Sequence, residues 1–280
     1  MISDLIFDVG MNNGDDTAYY LHKGYRVVAV EADPTLVDKA RDRFAAQVRD
    51  GQLELVNVGI GPERGIVPFW ICEAQSWWNS FDRAAASKRG FPHHAIDVRC
   101  CPLRDLLDQY GVPSYLKVDI EGNDHYCVAD LRPDDLPAYV SLEISEVEML
   151  FALRDLGYKG FKLISQEDHN QLVVDLFSVK ALLKRQLRPH PTLRRLAGWA
   201  SRARRQVAAA SPAPVNRSTW QFVEGSSGPF GEDTPGDWQS FDEAVYTWVT
   251  YRLGRSSYGK PVLWHDVHAT RLVSPPELPV

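Results

Sequence analysis

Apolar and polar positions alternate between two spacings over the first 165 residues of the chain. Leu5 to Val9, Arg26 to Ala32 and Leu53 to Val58 are short apolar, β-branched runs, as strands buried on both faces require. A helix from about Asp15 to Lys23 stops at Gly24, placed as a C′ glycine. Asp33-Pro34 supplies an N-cap and a first-turn proline, and Leu36, Val37, Ala40, Phe44 and Val48 then recur at helical spacing. Ile66 to Ile71 and Ile96 to Cys101 read as additional strands around a loop, Ala74 to His94. Pro102 to Tyr110 is a helix ended by Gly111; Tyr115 to Ile120 and Tyr139 to Ser145 are core strands separated by a helix beginning near Asp124. Glu146 to Leu156 is helical, and Phe161 to Ser165 starts a further strand. This alternation predicts an α/β fold with a mostly parallel, doubly wound sheet and helices on both faces.

The pattern breaks after residue 168. Residues 169–260 hold a basic stretch, a Pro/Ala tract (Ala208 to Pro214), a Gly/Pro-rich loop (Gly225 to Gly236) and a helix from Phe241 to Arg252. Pro261 to Ala269 reads as a last strand. The expected organisation is a core of residues 1–168, an insertion of 169–260 before the last strand, forming a basic lid or cap, and a final strand and tail, 261–280.

Composition narrows the class. The 280 residues are 44% hydrophobic and 24% charged, enough for a sizeable core and unlike a disordered or collagen-like chain. No apolar run approaches the roughly 20 residues of a membrane span. The N-terminus, MISDLIFDVG, lacks the basic head and cleavage site of a signal peptide. Four cysteines without CxxC spacing suit neither zinc nor a disulfide framework, so a reduced, cytoplasmic setting is expected. Net charge is −6, yet Leu176 to Val223 carries ten Lys and Arg and no Asp or Glu, leaving 21 basic against 37 acidic residues elsewhere. This stretch reads as a solvated helix pair or as a holder of an anionic, lipid-linked acceptor, with peripheral membrane contact through residues 180–205. Overall acidity and the lack of interleaved aromatics argue against nucleic acid.

The chemistry concentrates at strand ends. Asp8-Val-Gly10-Met-Asn12-Asn13-Gly14 closes the first strand, where glycines admit a ligand to the backbone. It is not GxGxxG, since Asn12 and Asp15 stand where glycines would be needed, so a ligand without pyrophosphate but with a charged amino-acid tail is indicated. A plain Gly-rich turn is the bland alternative. Glu31, seventeen residues past Gly14, can accept from both hydroxyls of a ribose; the two signals together indicate an adenosine-type ligand. Leu116-Lys-Val-Asp119-Ile-Glu121-Gly122 then puts two acids at a strand end, on one side of the pleat, with Glu143 on the next strand beside them. Such acids orient a hydroxyl, act as general base, bind a cation or face a sulfonium; helix capping is the structural alternative.

IFDVGMNNGDDT, VVAVEADP, YLKVDIEG and SLEIS, in this order and spacing, resemble the FkbM-type family of S-adenosylmethionine-dependent methyltransferases over about Ile2 to Gln166, with the later WHDVHA also familiar from such proteins. The resemblance implies a class I (Rossmann-like) fold with a seven-stranded sheet, adenosylmethionine as cofactor, and methylation of a hydroxyl on a sugar, glycolipid or secondary metabolite. It places Asp8, Gly10, Asn12, Asn13, Gly14 and Thr17 at the methionine end, with Asp119 facing the sulfonium. Glu31 falls at the ribose, Ala32 and Asp33 near the adenosine, and Asn57, Val58 and Gly59 beside the adenine. Members commonly carry Glu three residues after the DIEG glycine, where this chain has His125.

Candidate bases are therefore His125, Asp119, Glu121 and Glu143; a divalent cation is the lesser alternative, without a compact acidic cluster to hold it. Trp77, Trp78, Asn79 and Ser80 combine aromatic faces and hydrogen-bonding groups suited to a sugar ring. Ser227 and Phe230 lie in a Gly-rich stretch read as a mobile lid, and His268 is a further acceptor-side candidate. The rival readings are a nicotinamide-dependent oxidoreductase, against which the missing GxGxxG counts, and a non-catalytic nucleotide- or glycan-binding protein.

Overall fold

A computed structural model describes residues 1–87, 90–174, 220–223, 225–257 and 263–272. The chain divides into two compact units, Met1–Leu172 with Phe222–Val280, and Val173–Gln221; the sheet and site below belong to the first. The basic stretch Lys180 to Arg217 and the Pro/Ala tract lie outside the described residues.

Strand and helix alternate as β1 (Ile2–Val9), α1 (Asp15–His22), β2 (Arg26–Glu31), α2 (Pro34–Arg43), α3 (Ala45–Arg49) and β3 (Leu53–Asn57). Then come β4 (Gly59–Ile60), β5 (Gly65–Cys72), α4 (Arg83–Ala86), β6 (His93–Cys101), α5 (Leu103–Tyr110), β7 (Pro113–Val118) and α6 (Asp124–Ala129). The series closes with β8 (Tyr139–Glu143), α7 (Glu148–Leu156), β9 (Gly160–Ser165), α8 (Phe241–Ser257) and β10 (His265–Thr270).

Seven strands form one sheet in the order β3-β2-β1-β7-β8-β10-β9. All pairs are parallel except those of β10, which runs antiparallel to both neighbours. This is the class I methyltransferase arrangement. Its order reverses between β1 and β7, and a crevice at the carboxyl ends of strands beside such a reversal is where open α/β sheets bind ligands.

The sheet's two faces differ in chemistry. On one, Val9, Val118, Leu142, Val267 and Leu163 stand in register, and α5, α6, α7 and α8 cover them with Leu103, Cys127, Leu150 and Trp248 among others. On the other, a polar row crosses five strands: Asp8, Lys117, Ser141, His268 and Lys162 are in register and all buried. A polar row inside a sheet is costly unless its members find partners. Lys162 donates to the carbonyl and hydroxyl oxygens of Thr234 at 2.9 and 3.0 Å, and Lys117 serves the cleft described below.

Several expectations are corrected. The helix projected through Val48 breaks at Phe44, whose φ of −112° and ψ of 28° separate α2 from α3. The break lets the Phe44 ring lie against Gly14, where even a Cβ would meet it at 2.8 Å. Asp119 and Glu121 do not share a pleat, because β7 ends at Val118 and Glu121 turns into the left-handed region at φ 50°. The hairpin strands β5 and β6 stand outside the main sheet, joining β4 in a three-stranded sheet of their own. The last strand begins at His265 rather than 261.

The segment read as a mobile lid is an anchor. Phe230 stacks on Tyr115 with centroids 4.5 Å apart and an interplanar angle of 6°, and meets Tyr20 and Tyr25 edge-on. Burying a phenylalanine in this way contributes about 1.5–3 kcal/mol. The Ser227 backbone N–H donates to Asp16 at 3.1 Å, so the segment is fastened to α1.

Candidate active site

A cleft of about 550 Å³ opens over the carboxyl ends of β1, β2, β7 and β8. Its walls bring together Gly10, Asn12, Asn13, Glu31, Ala32, Val58, Gly59, Asp119, Glu121 and Glu143, with Trp77, Trp78 and Asn79 on the side of the 74–94 loop. The backbone sets the geometry of these residues. Gly10 has a φ of +84°, and a Cβ there would come within 1.8 Å of the Asp119 carbonyl oxygen. Only glycine lets the end of β1 pass so close to the end of β7. Asn12 follows in the left-handed region at φ 51°, and Gly14 opens α1.

Glu31 holds this turn from β2. Its Oε2 accepts from the Asn12 N–H at 2.8 Å and its Oε1 from the Asp33 N–H at 2.9 Å. Asn57 pins the same strand end from beneath, its amide donating to the Glu31 and Ala32 carbonyl oxygens at 2.9 and 3.1 Å. Asp33 caps α2 through Thr35 and receives the Asn79 amide at 3.3 Å. Ser76 donates to the Asn12 side chain at 2.7 Å and Ser80 to the Glu121 carbonyl oxygen at 3.0 Å, tying the aromatic loop to both acidic turns.

Under the cleft sits Lys117, 2% exposed. Its Nζ donates to the Gly10 carbonyl oxygen at 2.7 Å and lies 3.2 Å from Asp8, 3.9 Å from Asp16 and 3.9 Å from Asp119. Thr17 donates to the other Asp8 oxygen at 2.5 Å. Asp8, Gly14, Thr17, Asp33 and Asn57 thus support the cleft without lining it. Ser80 likewise stands behind the wall. Ser227 and Phe230 are buried in the anchor, with Ser226 reaching the wall beside them. His125 is exposed on the first turn of α6, its Nδ1 3.2 Å from the Gly122 carbonyl oxygen, and does not line the cleft. His268 is buried in the polar row, also away from the wall; burial and the Lys162 charge push its imidazole down to about 3.

Sequence reasoning missed Asp16, Lys117, Gln166 and Asp266. Gln166 lines the cleft and donates to Asp266 at 2.7 Å. A lysine in the middle of an otherwise apolar parallel strand was the available signal for Lys117, since such a residue needs buried anions. Trp264 adds a half-exposed indole at the cleft wall.

Burial sets the electrostatics. It pushes the carboxyls of Asp16, Glu31 and Asp266 up to about 7, and that of Glu143 up to about 9, the last reinforced by Asp119 and Glu121. Each acid therefore binds its proton more tightly folded than unfolded. The stability this represents is fully present below the unfolded values near 4 and is lost as pH rises through 7 to 9. His268 and His265, both pushed down by burial, act in the opposite sense below about 6.5, while Asp124, raised to about 6, adds to the carboxyls. The expected result is a thermal midpoint that falls steadily from pH 5.5 to 9 in ligand-free protein; a flat profile in calorimetry would mean that these carboxyls titrate as if solvated.

Among the described residues, no group of three or more His, Cys, Asp or Glu is arranged to hold a metal ion, and no helix is long and apolar enough to cross a membrane. The cleft does fit a nucleoside carrying an amino-acid tail. Glu31 places a carboxylate at the cleft wall, and Asp119, Glu121 and Glu143 make the wall acidic, which suits positive charge.

A glycine turn at the end of β1, beside the reversal of sheet order, puts this cleft where open α/β sheets bind ligands. The methyltransferase FkbM domain model matches residues 8–160, more than half of the chain, and the chain belongs to that family. A 70-residue stretch is 36% identical to the probable ribosomal RNA small subunit methyltransferase A of Methanospirillum hungatei, covering 25% of this chain and 27% of that protein. The chain thus matches about a quarter of the length of that curated relative. Among solved structures, precorrin-6y C5,15-methyltransferase from Geobacter metallireducens is a distant likeness, with 14% identity, a TM-score of 0.32, and coverage of 60% of this chain and 72% of that one.

Proposed function

We propose that the protein is an S-adenosylmethionine-dependent O-methyltransferase acting on a hydroxyl of a sugar, glycolipid or secondary metabolite. The observation that carries this reading is Glu31, a buried carboxylate at the end of β2, bonded to the Asn12 N–H in the wall of the same cleft as Gly10 and Asp119. Bound adenosylmethionine supplies a methyl group already activated by its sulfonium. The chain's own part is to hold, align and exclude water.

Glu31 receives ribose hydroxyls, the Gly10–Gly14 turn receives the amino-acid tail, and Val58 and Gly59 flank the base. Asp119 faces the positive end of the cofactor. Trp77, Trp78 and Trp264 offer ring faces to the acceptor, and a neutral alcohol must give up its proton, for which Asp119, Glu121 and Glu143 are the acids at hand. An anionic or lipid-linked acceptor held by the basic stretch belongs to the same proposal.

Calorimetric titration with adenosylmethionine, adenosylhomocysteine, NADH and NADPH tests it. Micromolar binding of the two sulfur nucleotides is expected. In Glu31→Ala it weakens at least about tenfold, the size of a lost charged hydrogen bond. Binding of NADH instead, or of none of the four, would sink the reading.

A further inference from the structure

Glu143 and Asp266 are directly opposite each other in the antiparallel pairing of β8 with β10. Side chains so paired stand on one face of the sheet about 4.5–5.5 Å apart at Cβ, and two like charges there are destabilising. Asp266 is 1% exposed, and Glu143 is partly buried and looks into the cleft. Gln166 fastens one Asp266 oxygen with its amide at 2.7 Å, the Ser227 side chain also bears on the carboxylate, and Oδ2 is buried. The surroundings add negative charge from every side. Asp119 stands at the end of β7, Glu121 in the turn beyond it and Asp124 on α6, while Lys117 is the cation facing Asp266. On α8, Arg252 is already occupied by the Ser145 carbonyl oxygen and Glu146.

We infer that Glu143 and Asp266 share a single proton, and that the pair is the base that takes the proton of the acceptor hydroxyl, through Glu143 on its cleft side. The inference rests on the proposed transferase reading. The shared proton leaves when positive charge enters the cleft; in the step, the acceptor O–H bond breaks, the oxygen uses that electron pair to attack the methyl carbon as the methyl–sulfur bond breaks and adenosylhomocysteine leaves, and the proton passes to Glu143, so that the pair goes from no proton to one. A solitary solvated carboxylate, half-protonated near pH 4, is a weak base for an alcohol. A crowded pair titrates in two separated steps that belong to both groups, and the doubly ionised pair holds its first proton more tightly than a solitary carboxylate does; the upward displacement of both acids agrees. Glu143 is the catalytic residue, and Asp266 acts through it as a positioning residue.

The pair answers to positive charge in the cleft, which gives a test requiring no acceptor. Adenosylmethionine and adenosylhomocysteine differ chiefly by the sulfonium charge. Titrating the full-length protein with each at pH 7.5, in phosphate and in Tris, reads the protons exchanged on binding. Adenosylmethionine is expected to release on the order of half to one proton more than adenosylhomocysteine, as the sulfonium favours the ionised pair. Glu143→Gln and Asp266→Asn should each abolish that difference while both ligands still bind. Equal proton counts for the two ligands, or a difference that survives in both variants, would overturn the pairing and leave the cofactor reading standing. Failure of both ligands to bind would overturn the reading of the cleft and the pairing with it.

Discussion

Lys117→Met should cost the fold about 3–5 kcal/mol at pH 7.5, the loss typical of a buried ion pair stripped of one partner. The side chain volume is nearly kept, so the loss is electrostatic: Asp8, Asp16 and Asp119 would share a dry space with no cation. The Gly10 carbonyl oxygen would also lose its 2.7 Å donor. Protonation can relieve the crowding. The deficit should therefore shrink as pH falls below about 7, where Asp16 takes up its proton. Urea midpoints at pH 5.5 and 8 check this directly. An equal loss at both pH values would mean that Lys117 matters for packing rather than charge.

Gly10→Ala should be more severe for ligand than for fold. A methyl group would sit 1.8 Å from the Asp119 carbonyl oxygen and 2.7 Å from its carbon, so the ends of β1 and β7 must separate. That separation strains the 2.9 Å bond from the Asp119 N–H to the Val9 carbonyl oxygen. We expect a loss of at least about 3 kcal/mol, and adenosylmethionine binding weakened by at least about a hundredfold, since the displaced backbone is the cleft floor. Gly24→Ala is the control: it has a similar φ, +87°, but nothing within 4 Å of the added carbon. It should cost only the left-handed penalty of about 1–2 kcal/mol and leave binding untouched. If both variants bind alike, the close approach at Gly10 is not what shapes the site.

Much of the cleft was legible because its groups are local in sequence. Gly10, Asn12 and Glu31 announce themselves as glycine turn and strand-end acid, and the alternation of strand and helix alone gives a mostly parallel sheet. What escaped depends on contacts distant along the chain. Asp266 meets Gln166 across 100 residues, and its neighbour Glu143 across a pairing that no short pattern encodes. Phe44 kept helical spacing while the backbone broke around it, because the spacing cannot see Gly14 beneath the ring. Asp119 and Glu121 read as sharing one side of the pleat for the same reason: alternation cannot see that the strand ends at Val118 and that Glu121 turns left-handed. His125 drew notice as a titratable group near a motif, yet the first turn of α6 points it to solvent.

The position of β10 carries a consequence in time. It lies inside the sheet, between β8 and β9, although it is the last strand of the sheet to leave the ribosome. Until it arrives, β8 has an open edge and β9 has no neighbour in the sheet, both aggregation-prone conditions for a nascent chain. The same arrival delivers Asp266 to Glu143. A chain still being synthesised can build the glycine turn, the Glu31 carboxylate and Glu143 before Asp266 exists, so the acidic pair across β8 and β10 is the part of the fold assembled last.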